Sequence, residues 1–299
     1  MPGGARQEPG ARGCRVRAMS LRRKVVGKVL STRPLPQVRV LRTYRVSPLR
    51  TPGLYLRYAL CDRELTNFTY DIDNLDELAT FVATALGRPT SEIETYLLEV
   101  ADDNRFLADL SDRLKQRRDR NPRPLFGRRL GWYALVRATK PRLVVETGTA
   151  DGLGTALLAR AVQRNEADGW PGRVLSFDVD PTAGWLLSDE LRGVAHVVTG
   201  DAGVCIKHEL RDQEVGVFIH DSLHTYEHEL LEFKIALNHA AETLFLISDN
   251  AHSTTALMDT AAAVGGAYGF FREHPAGHFY PGAGIGLAIV RRPAVDRVG

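Results

Sequence analysis

Three residues able to do chemistry stand directly after short apolar runs in the second half of the chain. Asp221 follows the run VFIH, and Asp249 and Asn250 follow the run FLIS. Two carboxylates and an amide oxygen suit a hard divalent cation such as Mg²⁺, whereas zinc favours His or Cys ligands. The pattern predicts a magnesium site. Asp221 could instead cap a helix, and Asp249 with Asn250 could form a turn.

A histidine three residues after Asp221 could move a proton. The pKa of a neutral imidazole lies near working pH, so His224 could accept a proton from a hydroxyl group. His220 and His228 are neighbours in the sequence, but His220 is expected to point the other way along its strand. His252 is the second candidate base. We predict that His224 and Asp221 are catalytic.

A glycine-rich segment, RLVVETGTADGLG, occupies residues 142–154 and predicts a cofactor turn. Gly148 allows a tight turn, while Gly152 and Gly154 leave room for a ligand to approach the backbone. The turn also places the amides at the start of the next helix beside that ligand. The spacing G-x-x-x-G-x-G differs from the G-x-G-x-x-G of nicotinamide-dinucleotide proteins. Packing alone could also explain such a turn. The candidate cofactor contacts of the turn are Glu146, Gly148, Thr149, Asp151 and Gly152.

Two further acids follow the next two apolar runs. Asp178 ends VLSFD, 24 residues after Gly154, and an acid at that place can accept both hydroxyls of a ribose. Asp180 is the weaker alternative. Asp201 and Ala202 follow HVVTG, and Asp201 could equally cap the next helix. Three strand ends in this order predict an adenosyl-type cofactor along one edge of a sheet.

Seven short β-rich runs must position these residues. They are LVVET, VLSFDV, HVVTG, VGVFIH, TLFLIS, AYGFF and GIGLAIV. The first five are almost continuously apolar and are separated by helical patterns, which is typical of parallel strands buried on both faces. The last two are joined by a Gly/Pro loop and predict a hairpin at the sheet edge. We expect an α/β fold with a doubly wound, mostly parallel seven-stranded sheet.

The turn ETGTADGLG resembles motif I of class I methyltransferases, E-x-G-x-x-x-G-x-G. These enzymes take a methyl group from S-adenosylmethionine on a Rossmann-like sheet. The resemblance implies that Asp178 binds the adenosyl ribose and that Asp201 and Ala202 contact the adenine. It covers about residues 126–293.

The residues after the fourth and fifth strands resemble two branches of metal-dependent O-methyltransferases. Asp221 with Asp249 and Asn250 is similar to the Mg²⁺ ligands of the catechol type. The string DSLHTYE is similar to the D-x-x-H-x-Y-E of macrolide-sugar and antibiotic O-methyltransferases, where the histidine matching His224 is the proposed base. Those relatives have Glu-Asp in place of Asp249-Asn250. The resemblance implies Mg²⁺-assisted methyl transfer to a hydroxyl of a small molecule, such as a sugar or a phenolic natural product.

Charge is distributed unevenly along the chain. Residues 1–60 hold 14 Lys and Arg and one acid, a net of +13 in a chain of net charge +3, which leaves −10 for the remainder. We expect a largely disordered basic arm, although contact with an anionic membrane stays open. Met19 could be the natural start. The expected division is an arm at 1–60, a helical extension at 61–125, a methyltransferase domain at 126–293 and a tail at 294–299.

Four helices are predicted before the first strand. One starts at Asp73 or Asn74 and ends at Gly87, and a capping box at Ser91 and Glu94 starts the next. The others cover about 103–119 and 127–139. By analogy the extension forms a lid or a dimer contact beside the strand ends, and ordinary packing is an equally open alternative.

Composition excludes several classes of protein. No apolar run approaches the roughly 20 residues of a membrane span, and no secretory signal is evident. The three cysteines lie far apart, so neither a disulfide framework nor a cysteine-based zinc site is expected. We expect a cytoplasmic enzyme that could form a homo-oligomer and that has no nucleic-acid substrate. The open alternatives are a metal-independent methyltransferase, an NAD(P)-dependent oxidoreductase and a non-catalytic binding protein.

Overall fold

The computed structural model describes residues 36–60, 69–211 and 213–292. The chain falls into two compact units, residues 1–65 and residues 66–299. Met19 and the predicted tail at 294–299 lie outside the described residues. Within the described ranges, no helix has both the length and the apolar character needed to cross a membrane.

The described part of the first unit, residues 36–60, contains two short helices, α1 (Pro36–Thr43) and α2 (Pro52–Ala59). Each begins with a proline, whose fixed φ and missing N–H are tolerated at the start of a helix. Between them the Ser47 hydroxyl accepts hydrogen bonds from the amides of Leu49 and Arg50. These helices differ from the largely disordered arm expected for residues 1–60, because the prolines that limit helix length there also start helices.

The second unit is built on a seven-stranded sheet in the order β3-β2-β1-β4-β5-β7-β6. Strands β1 to β5 pair in parallel, and β7 pairs antiparallel with both β5 and β6. The strands are β1 (Leu143–Thr147), β2 (Arg173–Asp178), β3 (Ala195–Thr199), β4 (Val215–His220), β5 (Ala240–Ser248), β6 (Ala267–Arg272) and β7 (Gly284–Arg291). The predicted doubly wound α/β fold with an edge hairpin is confirmed.

Helices cover both faces of this sheet. They are α3 (Leu75–Leu86), α4 (Thr90–Ala101), α5 (Asn104–Leu114), α6 (Leu130–Thr139), α7 (Leu153–Ala167), α8 (Asp189–Arg192), α9 (Ala202–Leu210), α10 (Tyr226–Asn238) and α11 (Ala256–Ala263), with a 3₁₀ turn at Gly127–Arg129. Successive strand residues face opposite layers: Val144 packs in the core with α3 to α7, while Val145 packs in the core with α9 to α11. Burial on both faces explains why the strands are continuously apolar.

The helical extension is packed into the first of these cores. Leu78 of α3, Ile93 of α4 and Leu110 of α5 are completely buried beside residues of the sheet. The side chain of Asp103 caps α5 by accepting a hydrogen bond from the amide of Phe106. Helix α4 begins at Thr90 and its N-cap is Pro89, so the N-cap predicted at Ser91, with Glu94 as its partner, is wrong by two residues. These contacts agree with the alternative in which the extension packs against the sheet in the ordinary way.

Candidate active site

The carboxyl ends of β1, β4 and β5 lie side by side. Thr147 pairs with His220, and His220 pairs with Ser248, so the three strands end at the same level. The next residues continue the ladder: the Asp221 amide donates to Thr147 O (2.9 Å), and the Asp249 amide donates to His220 O (2.9 Å). Two acids predicted from distant segments are therefore brought to one edge of the sheet, as parallel strands require.

Asp249 is held by a buried arginine. Its carboxylate accepts hydrogen bonds from Nε (3.0 Å, to Oδ1) and Nη2 (to Oδ2) of Arg128. Nη1 of Arg128 donates to the Tyr70 hydroxyl (2.8 Å) and to Glu273 Oε1 (2.9 Å). Arg128 and both acids are buried. A buried cation with this many partners fixes the position of the Asp249 carboxylate, because breaking such a pair leaves an uncompensated buried charge.

Asp221 lies against a second arginine and against Asp249. Nη2 of Arg129 is 3.2 Å from Asp221 Oδ2 and 3.9 Å from Asp249 Oδ2. Burial and the negative charge of Asp249 raise the pKa of Asp221 well above its usual range. Burial also acts to raise the pKa of Asp249, but Arg128 and Arg129 outweigh it and lower that pKa. The ionised Asp249 therefore disfavours ionisation of its neighbour Asp221.

His224 stands beside this pair. Its Nε2 lies 2.7 Å from the Asn250 amide nitrogen and 3.7 Å from Asp221 Oδ1. Its Nδ1 is buried and has no hydrogen-bond partner among the residues that the structure describes. Burial lowers the pKa of His224, so the imidazole is neutral at neutral pH. The arrangement can accept a proton next to a carboxyl group.

The other histidines near the strand ends are placed differently. His220 is fully buried, with Nδ1 2.6 Å from Glu232 Oε2, which also accepts a hydrogen bond from the Thr147 hydroxyl (2.6 Å). His228 Nε2 lies 2.9 Å from Glu232 Oε1. These groups form a polar cluster between β4 and α10. His252 is exposed on the loop after β5.

Gly148 allows the closest approach within the cofactor turn. Its φ is +89°, and a Cβ at this position would lie 2.1 Å from the Asp221 carbonyl oxygen. Gly152 has φ +92°, and a Cβ there would lie 2.8 Å from Gly184 Cα. Both positions require glycine for conformation and for space. In the Cβ direction of Gly152 the space is filled by the backbone of Gly184, and the predicted cofactor contact of Gly152 stays a prediction.

Glu146 and Gly154 form a packed joint behind the turn. Glu146 Oε2 accepts hydrogen bonds from the hydroxyls of Thr155 (2.5 Å) and Ser176 (2.6 Å). A Cβ at Gly154 would lie 2.6 Å from Glu146 Oε1 and 2.8 Å from the Trp132 ring, so protein also fills the space expected for a ligand there. Burial raises the pKa of Glu146 to about 7. The carboxyl group joins β1, β2 and α7, and its predicted cofactor contact stays a prediction.

Thr149 and Asp151 also direct their side chains to protein partners. The Thr149 hydroxyl is buried 2.6 Å from the Ser176 hydroxyl. Asp151 accepts hydrogen bonds from Arg120 Nε (2.5 Å) and from Trp185 Nε1 (2.8 Å). Their side chains therefore stabilise the turn, and a direct cofactor contact stays a prediction for both.

The acids after β2 and β3 are better placed to receive a ligand. Asp178 accepts hydrogen bonds from the amides of Ala150 (2.7 Å) and Asp180 (2.9 Å), which fix its carboxylate beside the glycine turn. Each carboxylate oxygen retains further acceptor capacity. Asp201 caps α9 by accepting from the Val204 amide (3.3 Å), and Ala202 is the first residue of that helix. Their predicted cofactor roles are compatible with these contacts and stay predictions.

The side chains present do not fit the Mg²⁺ site that the resemblance implies. Asp221, Asp249 and Asn250 converge, but Arg129, Arg128 and His224 already contact them. Among the described residues, no group of three or more His, Cys, Asp or Glu side chains is placed to hold a metal ion.

Sequence reasoning missed the cations and the acid that surround Asp249. The only signal for Arg128 and Arg129 is an adjacent pair of arginines before a predicted helix, which usually means a solvated surface. Glu273 and Tyr70 are brought to Arg128 from opposite ends of the second unit. Such contacts are invisible in a local pattern.

Residues 145–251 match the family model of a methyltransferase domain. The match begins within β1 and ends one residue after Asn250, so it contains every strand end described above. Over these residues the chain therefore carries a methyltransferase domain. The strand order and the motif resemblance agree with this family. No curated protein shows a significant match to the chain.

Several solved structures resemble the methyltransferase domain at low identity. An O-methyltransferase from Bacillus cereus in complex with SAH is 15% identical, with a TM-score of 0.42, over 72% of this chain and 97% of that one. The O-methyltransferase TomG from Streptomyces achromogenes, involved in tomaymycin synthesis and in complex with SAM, is 13% identical, with a TM-score of 0.44, over 75% and 92%. A methyltransferase from Geobacter sulfurreducens is 19% identical, with a TM-score of 0.41, over 54% and 76%. Likeness at this level does not identify the acceptor of this chain.

Proposed function

We propose that the methyltransferase domain transfers a methyl group from S-adenosylmethionine to a hydroxyl oxygen of a small molecule. The observation that carries this proposal is the neutral, partly buried His224 beside Asp221, at the strand end that touches Gly148 of the cofactor turn. A base at this place would face the region where a methyl donor lying along the turn meets its acceptor.

Methyl transfer to a neutral hydroxyl group requires a proton acceptor. S-adenosylmethionine supplies a methyl group on a sulfonium sulfur, and the protein aligns it with a nucleophile. A neutral hydroxyl is a weak nucleophile, so His224 takes its proton. The oxygen then bonds to the methyl carbon while the carbon–sulfur bond breaks and its electron pair goes to sulfur. The negative charge of Asp249 stabilises the imidazolium that forms, because it acts to raise the pKa of His224.

A surface cavity at the loop after β5 could hold an acceptor that carries a ring, although none of Asp221, His224 and Asn250 lines it. It has a volume of about 580 Å³ and begins at Ala251, one residue after Asn250. Met258, Tyr268 and Phe270 form an apolar and aromatic wall, while His252 supplies a polar group. Sites for small organic molecules commonly have this size and composition. Aromatic walls bind flat or ring-shaped molecules well.

The proposal is tested by a methylation assay. Full-length protein is incubated with ¹³C-methyl S-adenosylmethionine and a panel of phenols, sugars, amines and thiols, and products are identified by NMR. We expect O-methyl products from at least one hydroxylated class. Transfer confined to nitrogen or sulfur acceptors would contradict the assignment of oxygen while leaving the domain assignment intact.

A further inference from the structure

A guanidinium nitrogen lies where a cation bridging Asp221 and Asp249 would be expected. Nη2 of Arg129 is 3.2 Å from one carboxylate and 3.9 Å from the other. Arg128 binds Asp249 from another side through Nε and Nη2, and the Asn250 amide nitrogen contacts His224. Both carboxyl groups that would form a dication site therefore already have an arginine partner, and the Asn250 amide is held by His224 through its nitrogen.

The acid pair Asp221 and Asp249 already has two positive charges beside it. Two guanidinium groups, which stay protonated at any working pH, face two carboxyl groups, and Glu273 binds Arg128 from its far side. A dication placed between the carboxylates would lie a few ångströms from both positive charges. Screening by water is weak in a buried site, so this repulsion would be strong.

We propose that Arg129 takes the place of the dication: its guanidinium binds the acceptor oxygen, and methyl transfer needs no metal. This inference rests on the proposed O-methyl transfer. The stem of the side chain packs behind the glycine turn, where its Cδ lies 3.7 Å from the Cβ position of Gly154, and its Nη2 extends from there to Asp221. The guanidinium also stands 5.4 Å from the Trp132 ring centroid.

The guanidinium of Arg129 keeps donors for a ligand. It carries five N–H groups, and one hydrogen bond, to Asp221, is made to a described residue. The side chain is 14% exposed, so it borders the open side of the site rather than the core. Arg128 differs, because its nitrogens are committed to Asp249, Glu273 and Tyr70. Arg129 is therefore the member of the pair that can contact an acceptor.

A guanidinium in this position limits how weakly acidic the acceptor hydroxyl can be. A single delocalised charge lowers the pKa of a hydroxyl less than a dication does, so His224 must remove a proton that is already fairly acidic. A phenol, with a pKa of about 10 as in tyrosine, meets this requirement, while an aliphatic sugar hydroxyl is much less acidic. The arrangement favours phenolic acceptors over sugars.

The decisive experiment measures binding of the metal alone. Full-length protein freed of metal by chelation is titrated with Mn²⁺ and followed by electron paramagnetic resonance. We expect no stoichiometric binding by the wild type, and one bound Mn²⁺ in Arg129→Gln, because that change removes a positive charge from the acid pair. Arg129→Lys is the matched control, since it keeps the charge and is expected to bind no Mn²⁺. Stoichiometric binding by the wild type, abolished by Asp249→Asn, would overturn the inference even if Arg129→Gln fails to fold.

Kinetics give a second and independent readout. With an active acceptor, we expect EDTA to leave the rate unchanged, and Arg129→Gln to raise the KM of the acceptor and lower kcat by roughly tenfold to a hundredfold, as for loss of a charged hydrogen bond. Free guanidinium ion should restore part of the rate in that variant. An EDTA-sensitive wild type would overturn the inference. Calorimetry separates the two proposals: a folded wild type that fails to bind S-adenosylmethionine contradicts the proposed function, whereas normal cofactor binding together with Mn²⁺ binding contradicts only the role of Arg129.

Discussion

Asp221 and Asp249 are carboxyl groups that burial alone would make unstable in their charged forms. The structure resolves this for Asp249 with Arg128 and Arg129, and for Asp221 with a raised pKa. His224 adds a neutral base at the same place. His224 can therefore accept a proton in this region, because the low pKa of Asp249 makes its carboxylate a weak competitor for that proton.

Replacing His224 tests the base. His224→Gln keeps a polar side chain but removes the proton acceptor, so we expect kcat to fall by about 10² to 10⁴ while the affinity for S-adenosylmethionine changes little. The measurement is steady-state kinetics combined with calorimetry. His208→Gln is the control, because His208 is exposed on α9. Full activity in His224→Gln, with loss in His252→Gln, would move the base to His252.

Asp178 tests the position of the cofactor. Its carboxylate is fixed by two backbone amides beside the glycine turn. Asp178→Ala removes a charged acceptor for the two ribose hydroxyls, so we expect the Kd for S-adenosylmethionine to rise by roughly tenfold to a hundredfold. Asp180→Ala, at the exposed neighbouring acid, should leave the Kd within about twofold. Equal effects of the two changes would argue against a ribose contact at Asp178.

At the level of elements, the turn between β1 and α7 connects the carboxyl ends of neighbouring strands. Gly148 brings this turn against the strand end that carries Asp221. Glu146 then joins β1 to β2 and α7 through two hydroxyl groups. The predicted cofactor turn and the strand that carries Asp221 are therefore parts of one packed joint.

Gly148→Ala tests that joint. The new Cβ would lie 2.1 Å from a backbone oxygen and would also require a left-handed φ, so we expect a loss of stability well above the ~1–2 kcal/mol of the φ penalty alone. Gly169→Ala separates the two effects, because Gly169 has φ +90° and open space around its Cβ position. Urea unfolding measures both. Similar losses in the two variants would show that the contact with Asp221 is unimportant.

The elements were predictable because their signals are local. Continuous apolar runs such as that of Val144 and Val145 identify buried parallel strands, and strand ends fix where Asp178, Asp221 and Asp249 must lie. The partners of these acids were not predictable, since Arg128 reaches Asp249 only after the sheet is assembled. For the same reason the spacing of Asp221, Asp249 and Asn250 indicated a magnesium site without revealing the arginines that fill it.

At the level of the whole molecule, the buried Glu146 links stability to pH. Its folded pKa is about 7 against an ordinary value of 4.5, so the folded protein holds a proton that the unfolded chain has lost between these values. Its contribution is therefore fully present below pH 4.5 and declines by up to about 3 kcal/mol as pH rises towards 7. We expect Glu146→Gln, which cannot ionise, to show a smaller decline in unfolding free energy between pH 5 and 8 than the wild type. Identical slopes in urea unfolding would contradict this role.

Binding of S-adenosylmethionine is the most direct test of the proposed methyl donor. Full-length wild-type protein, shown to be folded by circular dichroism, is titrated with S-adenosylmethionine and, separately, with NADP⁺ in a calorimeter. We predict one molecule of S-adenosylmethionine bound per chain, weakened by Asp178→Ala, and no binding of NADP⁺. A folded protein that does not bind S-adenosylmethionine, or that binds NADP⁺ in its place, would contradict the proposed function.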